Sequence, residues 1–264
     1  MNKYKVVVSD LDGTLLNEDG KISFYTKNII NRLYSNKIRF IIATGRCFET
    51  ANLIKKALEI ECCLITSNGA EIYDEDEKLI YANYIPENII NDLISLQIDE
   101  SFERFIVQDK IFYTEFKNEF QDDSVTYKIV DFKNKKWSRA INFYYQHENR
   151  EKLVELQEFL KSIFKKKITL CISTNNRLDV MSYNINKGEG VKKILDKFNN
   201  SLNETIAFGD QLNDLEMLKI VEKGFCLKNS CEDLKEKIDK ENVIGFNFQD
   251  SVAKKLEELF FEEM

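Results

Sequence analysis

Residues 4–14 read YKVVVSDLDGT, a short apolar run rich in β-branched residues that ends in two aspartates, a glycine and a threonine. An uninterrupted apolar run of this length is typical of a strand buried on both faces of a parallel sheet. The acidic residues after it predict a polar loop at the carboxyl end of that strand. This stretch therefore predicts an α/β fold and marks its first candidate site.

The same pattern returns three times along the chain. Buried strands are predicted within IRFIIAT at 38–44, CCLITS at 62–67 and ETIAFGD at 204–210, and amphipathic helical segments lie between or after them. Alternating strands and helices form a doubly wound parallel sheet, a Rossmann-like core.

The middle of the chain has a different pattern. Stretches such as FIVQDKIFYTE at 105–115 and SRAINFYYQ at 138–146 predict several closely spaced strands with few helices between them. This is an α+β pattern. We therefore expect a discontinuous core domain of residues 1–83 and 181–264, interrupted by an inserted domain of residues 84–180.

Composition excludes several function classes. The 264 residues include 31% charged and 43% hydrophobic residues, and the net charge is −7. A global basic field for nucleic acid or anionic lipid is missing. No run approaches the roughly 20 apolar residues of a membrane span, and the first ten residues lack the apolar run of a signal peptide. We expect a cytoplasmic protein without nucleic-acid or membrane partners.

Cysteine and histidine usage narrows the chemistry further. The six cysteines form no Cys-x-x-Cys pair, which favours buried free thiols in a reducing compartment. His147 is the single histidine, so a histidine-based triad or a multi-histidine metal site is almost excluded. Carboxylates must therefore supply any acid–base chemistry.

The first candidate site is Asp10-Leu11-Asp12-Gly13-Thr14. Two aspartates two residues apart at a strand end point to the same side, and a divalent cation relieves the repulsion between them. Asp10 could attack phosphorus as a nucleophile, and Asp12 could act as general acid and base. The alternative is an ordinary turn, because Asp, Gly and Thr are common turn residues.

Two further segments suit an anion. Thr44-Gly45-Arg46 places a hydroxyl group and a glycine between a strand and a helix, although Thr44 alone is equally typical of a helix cap. Lys187-Gly188 could neutralise phosphate charge. Taken alone, Lys187 is better explained as one of many solvated surface lysines.

A fourth segment, Gly209-Asp210-Gln211-Leu212-Asn213-Asp214, follows the strand ETIAFG. Asp210, with Asn213 or Asp214, could complete a Mg²⁺ site, since Mg²⁺ prefers oxygen ligands. The alternative is a helix cap with acidic residues in the first turn. The four segments together, each at a strand or helix end, are difficult to explain without a common site.

These segments, in this order, resemble the four motifs of the haloacid dehalogenase-like superfamily. The chain is most similar to the Cof-type sugar phosphatase branch, which has a large α/β cap inserted between the second and third motifs. SNGAEIYD at 67–74 is also similar to that branch. Two positions depart from the pattern: Cys47 replaces a usual proline, and LKNS at 227–230 replaces Met-Gly-Asn-Ala.

The resemblance implies a role for each motif residue. Asp10 is implied as the nucleophile and Asp12 as the general acid/base, while Thr44 and Lys187 hold the phosphoryl group. The implied Mg²⁺ ligands are Asp10, the Asp12 backbone carbonyl and Asp210, supported by Asn213 and Asp214. Residues implied to lie near the substrate are Gly45, Arg46, Asn68, Gly69 and Asn213.

Cys47 raises a separate hypothesis. Because it lies beside Arg46 and near a predicted helix start, its thiol pKa could be lowered and the thiol reactive. The alternative is a tolerated small residue.

The sequence favours a Mg²⁺-dependent phosphatase acting on a small phosphorylated metabolite, with a sugar phosphate as the expected substrate. A phosphomutase would use the same four motifs. A non-enzymatic module that carries a phosphoryl group is the third possibility, but it would need no inserted domain.

Overall fold

The computed structural model describes residues 3–116, 124–174 and 176–262, and the chain divides into two compact units. The first unit comprises Met1–Tyr81 and Asn186–Met264, and the second comprises Ala82–Ile185. These limits lie a few residues from the expected ones.

The first segment of the chain alternates strands and helices before ending in two short strands. Its elements are β1 (Val6–Ser9), α1 (Phe24–Ser35), β2 (Arg39–Ala43), α2 (Phe48–Leu58), β3 (Cys63–Thr66), β4 (Glu71–Tyr73) and β5 (Leu79–Ala82). A helical turn at Leu11–Leu15, which the sequence does not predict, follows β1.

The middle of the chain is strand-rich. Its elements are α3 (Glu87–Ser95), β6 (Glu103–Gln108), β7 (Ile111–Thr114), β8 (Thr126–Ile129), β9 (Ala140–Gln146), α4 (Arg150–Phe164), β10 (Ile168–Thr174) and β11 (Arg177–Ser182). The expected domain limit at 180/181 falls inside β11, a strand that pairs along its length with β10 and also with β9.

The last segment returns to alternation. Its elements are α5 (Lys187–Phe198), β12 (Thr205–Gly209), α6 (Leu215–Ile220), β13 (Lys223–Leu227), α7 (Glu232–Lys235), β14 (Val243–Ile244) and α8 (Ser251–Phe261). Among the described residues, no helix combines the length and the apolar character that a membrane span requires.

The first unit is built on an eight-stranded sheet in the order β14-β13-β12-β1-β2-β3-β4-β5. The strands from β14 to β3 run parallel, and β4 turns back antiparallel to β3. This confirms the predicted doubly wound α/β fold. The parallel arrangement matters because it brings the carboxyl ends of β12, β1, β2 and β3 to one edge.

Helices cover both faces of this sheet, which explains its continuous apolar strands. Val7 of β1 packs in a cluster with residues of α1, α2 and α8, whereas Val6 and Val8 pack in a second cluster with residues of α5 and α6. Both faces of β1 are fully buried, and each fully buried Val contributes about 1.5–3 kcal/mol.

The second unit holds a six-stranded sheet in the order β10-β11-β9-β6-β7-β8. Its neighbouring strands are antiparallel except for β7 and β8, which are parallel. β8 is not predicted from the sequence. Trp137, the only tryptophan of the chain, is fully buried in the core of this unit and donates its indole N–H to the Phe132 carbonyl at 2.9 Å.

Two leucines of α2 give a matched test of the core. Leu58 is fully buried, whereas the Leu53 side chain is largely exposed. We expect Leu58→Ala to lower the free energy of unfolding by about 2–5 kcal/mol, because it leaves a cavity against the sheet. We expect Leu53→Ala to change it by less than about 0.5 kcal/mol. Urea unfolding followed by circular dichroism measures both; equal effects would contradict this packing.

Candidate active site

The predicted site residues lie where neighbouring parallel strands end. Asp10 follows β1, Thr44 follows β2, Asn68 lies just after β3, and Asp210 follows β12. These four strands are adjacent in the order β12-β1-β2-β3. Lys187, the first residue of α5, joins them through its long side chain.

Hydrogen bonds join the turn after β1 to the end of β12 and to the residue that follows it. The Asp10 backbone N–H donates to the Phe208 carbonyl at 3.0 Å, and the Thr14 hydroxyl donates to Asp210 Oδ1 at 2.7 Å. Gly13 has a φ of +75°, and a Cβ at this position would collide with the Asp210 carboxylate. Glycine is therefore required by both the backbone angle and the close approach.

Lys187 is the central cation of the site. Its side chain is 1% exposed, and Nζ donates to Asp10 Oδ1 at 2.7 Å and to Asp214 Oδ1 at 2.5 Å. Burial by itself would lower the pKa of Lys187, but the two carboxylates outweigh it and raise the pKa above its ordinary value. The interpretation of Lys187 as a solvated surface lysine is therefore wrong.

Asp214 organises the loop after β12. Its Oδ2 accepts hydrogen bonds from the backbone N–H groups of Asp210 at 2.9 Å and Gln211 at 3.0 Å. Gly209 leaves room for this arrangement, because a Cβ there would lie 2.5 Å from the Asp214 Cγ. Asp214 is fully buried. Its two oxygens therefore fix the loop after β12 and the position of the Lys187 ammonium.

Three carboxylates converge at this edge. One oxygen each from Asp10, Asp210 and Asp214 lies within 4.8 Å of the others, and all three residues are buried. Burial raises the pKa of Asp10 well above its ordinary value, although Lys187 opposes this. Burial and the Asp214 charge raise the pKa of Asp210 to about 6.

The donor set of this cluster fits Mg²⁺. Three carboxylates and one ammonium leave an excess of negative charge, and all the donors are oxygens, which Mg²⁺ prefers. No hydrogen bond from the described residues reaches Asp10 Oδ2, whereas both oxygens of Asp214 already accept one or more. Each oxygen of Asp210 also accepts one hydrogen bond, from Thr14 and from Gln211, so Asp10 has the oxygen best suited to bind the ion directly.

Asp12 lies apart from this cluster and pairs with Arg46. Arg46 Nε donates to Asp12 Oδ2 at 2.7 Å, and its terminal nitrogen donates to Oδ1 at 2.6 Å, a bidentate ion pair. The Asp12 side chain is 58% exposed. Its hydrogen bond with Arg46 is the main reason that the Arg46 pKa is raised.

Thr44 is not a helix cap. Cys47 occupies the N-cap position of α2, and the buried Thr44 hydroxyl instead accepts a hydrogen bond from the Arg46 backbone N–H at 3.1 Å.

Burial raises the pKa of the Cys47 thiol. This direction is opposite to the lowered pKa that the hypothesis of a reactive Cys47 thiol requires.

Asn68 has a side-chain donor that finds no partner among the described residues. Its side chain is buried, and its Oδ1 accepts from Asn213 Nδ2 at 2.9 Å, which fixes the orientation of the amide. With the amide in this orientation, Asn68 Nδ2 donates no hydrogen bond to any described residue. Gly45 lies against the same amide: a Cβ there would be 3.2 Å from Asn68 Oδ1.

At Gly69 the backbone of the loop after β3 passes close to the backbone of Asn186. Its φ is +101°, and a Cβ would collide with the carbonyl of Asn186, the residue before Lys187. Gly69 thus lets the loop after β3 lie against the start of α5.

Sequence reasoning missed the residues that support the first turn. Asn229 donates to the Gly13 carbonyl at 2.7 Å and accepts from the Asn247 backbone N–H, while Asn247 donates to the Leu16 carbonyl at 2.9 Å. The one indication in the sequence is that LKNS at 227–230 keeps the asparagine of Met-Gly-Asn-Ala at Asn229. Asn247 carried no signal, because an isolated asparagine in a loop is ordinary.

Comparisons with known proteins agree on one family. A family model described as haloacid dehalogenase-like hydrolase matches residues 7–256. A protein of Buchnera aphidicola subsp. Baizongia pistaciae, provisionally named a phosphatase, is 34% identical over 98% of this chain and 100% of its own length. An HMP-PP phosphatase of Serratia proteamaculans is 27% identical over 95% of this chain and 93% of its own.

The fold is also found among solved structures. A subclass IIB sugar phosphatase of the same superfamily superimposes with a TM-score of 0.81 at 24% identity, covering 96% of this chain and 98% of its own. At this identity the likeness shows the fold alone.

Two lysines of α5 test the role of the buried cation. We expect Lys187→Met to lower the free energy of unfolding by about 3–5 kcal/mol at neutral pH, because it leaves Asp10 and Asp214 buried without a counter-charge. Lys193→Met, at an exposed position of the same helix where the ammonium contacts only the Tyr81 ring among the described residues, should change it by less than about 1 kcal/mol. Urea denaturation gives both values. A loss below 1 kcal/mol for Lys187→Met would contradict this electrostatic role.

Proposed function

Because the chain is a phosphatase of the haloacid dehalogenase-like hydrolase family, we propose that it hydrolyses phosphomonoesters with Mg²⁺ through a covalent aspartyl-phosphate on Asp10. The observation that carries this proposal is the buried Asp10 carboxylate. One of its oxygens is oriented by Lys187, and it lies within the three-carboxylate cluster.

Asp10 acts as the nucleophile in this proposal. Its carboxylate oxygen forms a bond to phosphorus while the bond between phosphorus and the leaving oxygen breaks. Lys187 keeps its proton throughout, since the flanking carboxylates raise its pKa, and its positive charge opposes the charge on the phosphoryl oxygens. Asp10, the Asp12 backbone carbonyl and Asp210 would hold Mg²⁺, with Asn213 and Asp214 in support, and the ion would supply further positive charge.

Asp12 acts as the general acid and then the general base. It protonates the leaving oxygen, and in the second half-reaction it accepts a proton from the water that attacks the phosphorus of the aspartyl-phosphate. A protonated carboxyl is a weaker acceptor for a guanidinium than a carboxylate, and its O–H must be free to reach the leaving oxygen. We therefore propose that at least one of the two hydrogen bonds from Arg46 opens during turnover.

The phosphoryl oxygens meet donors from the loops after β2 and β3. The proposed donors are the Thr44 hydroxyl and Asn68 Nδ2, which has no hydrogen-bond partner in the described part of the chain. Asn213 orients Asn68, and Gly45 leaves space beside the same amide. We propose that the substrate side of the site is formed by Gly45, Arg46, Asn68, Gly69 and Asn213.

A small phosphorylated metabolite, with a sugar phosphate as the first class to test, is the proposed substrate. The support is the family and the naming of several relatives as phosphatases, four of them as HMP-PP phosphatases. In the same proposal the first unit is the catalytic core and the second unit is the inserted cap domain. A panel of sugar phosphates together with HMP-PP tests the substrate class. Interconversion of a sugar phosphate without release of free phosphate would indicate a mutase instead.

The cysteines support a cytoplasmic location in this proposal. No disulfide joins any of them within the described part of the chain, and three of them are buried. Free thiols persist in reducing compartments, whereas secreted proteins usually pair them.

Turnover of p-nitrophenyl phosphate tests the central assignment. We expect turnover that requires Mg²⁺, stops with EDTA and falls to background in Asp10→Asn, because the amide cannot form the acyl phosphate. Asp19 is an exposed aspartate between β1 and α1, and Asp19→Asn should keep full activity. Full activity in Asp10→Asn would refute the mechanism.

The role of Asp12 predicts a dependence on the leaving group. We expect Asp12→Asn to lower turnover by about 10²–10⁴-fold. The initial phosphoryl transfer should suffer more with glycerol phosphate than with p-nitrophenyl phosphate, because an alkoxide needs protonation and a nitrophenolate does not. Rapid-quench kinetics with both substrates measure this. An equal loss of phosphoryl transfer with both would exclude Asp12 as the general acid.

A further inference from the structure

The longer helix of the second unit, α4, exposes two large apolar side chains on one flank. Its core-facing side chains are Leu153, Leu156, Leu160 and Phe164. Phe159 and Ile163, in contrast, are 45% and 44% exposed. Because they are four residues apart, they lie one above the other on the same side of the helix. We call these two residues the apolar ridge.

A groove adjoins the apolar ridge. It has a volume of about 280 Å³ and lies between α4 and residues 97–102, which connect α3 to β6. Its apolar lining consists of Ile98, Phe102, Leu156 and Phe159, and its charged lining of Asp99, Lys152 and Glu155. Phe159 thus borders the groove, and Ile163 lies about one helical turn beyond it. A helix with an apolar stripe is the kind of element that fills such a groove.

The two ends of α4 carry opposite charges. Within one copy, Lys152 pairs with Asp99 and Lys161 pairs with Glu158. The other charged residues in and beside the helix are all exposed, and they are Glu148, Arg150, Glu151 and Glu155 at its start and Lys165, Lys166 and Lys167 at its end. The start is therefore acidic on balance, and the end is basic.

This distribution makes the surface complementary to itself. When two copies are related by a twofold axis that sets their α4 helices antiparallel, each acidic end meets the basic end of the other copy. In the same arrangement the ridge of each copy reaches the groove of the other, because both features lie on the same flank of α4. A parallel arrangement would instead bring like charges together.

We infer that a second copy of this chain covers the apolar ridge and the groove, forming a symmetric dimer through antiparallel α4 helices. Burial of Phe159 and Ile163 in the partner groove supplies the apolar contribution, and the opposite charges fix the orientation. An anionic lipid surface fits less well, because it would repel the acidic end of α4. The inference concerns association alone and does not depend on the proposed phosphatase chemistry.

Sedimentation equilibrium of the full chain over a range of micromolar concentrations tests this inference. We expect a dimer for the wild type. Ile163→Asp should raise the dissociation constant about tenfold or more, because it buries a carboxylate in an apolar groove. Val154→Asp is the matched control: Val154 is 42% exposed on the same helix, but about two and a half turns separate it from Ile163. It therefore lies on the opposite flank, and its substitution should change the dissociation constant by less than about threefold.

Charge reversal tests the antiparallel orientation. The double variant Lys165→Glu and Lys166→Glu should weaken the dimer, because two acidic ends then meet. The double variant Glu151→Lys and Glu155→Lys should weaken it as well, because two basic ends then meet. An equimolar mixture of the two variant chains should dimerise again, since every pair of ends is then opposite in charge. No recovery in the mixture would overturn the inferred arrangement.

The remaining outcomes also decide the question. Circular dichroism first shows whether each variant keeps the wild-type fold, as expected for substitutions at exposed positions. A wild-type chain that stays monomeric at every concentration would overturn the inference, and sedimentation of that monomer with phosphatidylserine vesicles would indicate a lipid surface as the partner instead. Equal weakening by Ile163→Asp and Val154→Asp would equally overturn it, since the dimer would not then depend on the ridge.

Discussion

The active-site edge of this protein depends on one ammonium group. Lys187 lies between Asp10 and Asp214, and both carboxylates are themselves buried. Without that charge, the desolvation of two neighbouring anions would oppose the close approach of the loops after β1 and β12. The same contact orients the proposed nucleophile and anchors the residue that holds the Asp210 loop, so stability and catalysis rely on one interaction.

The parallel sheet makes this contact possible. Asp10, Thr44, Asn68 and Asp210 are far apart in sequence, but each follows a strand whose carboxyl end lies on the same edge. The loops then approach so closely that some positions exclude a Cβ, as at Gly13 against the Asp210 carboxylate. Small residues at these positions are therefore a consequence of bringing four loops to one point.

Much of this arrangement could be predicted from local patterns. The strand at residues 6–9 and its neighbours show as apolar runs because helices cover both faces of the sheet. The partners of Lys187 could not be predicted without the family resemblance, since Asp10 lies 177 positions away. β8 also escaped prediction, because its four residues are mostly exposed and lack an apolar run. The bidentate pairing of Asp12 with Arg46 depends on side-chain geometry that no spacing rule describes.

The single buried tryptophan has a practical consequence. Trp137 belongs to the core of the second unit, and the first unit contains no tryptophan. Indole emission responds to the polarity around the ring, so intrinsic fluorescence reports selectively on the unfolding of residues 82–185. Phosphatase activity reports on the first unit, where the proposed catalytic carboxylates lie. The native sequence thus provides one readout for each unit without an engineered label: fluorescence for the second unit and activity for the first.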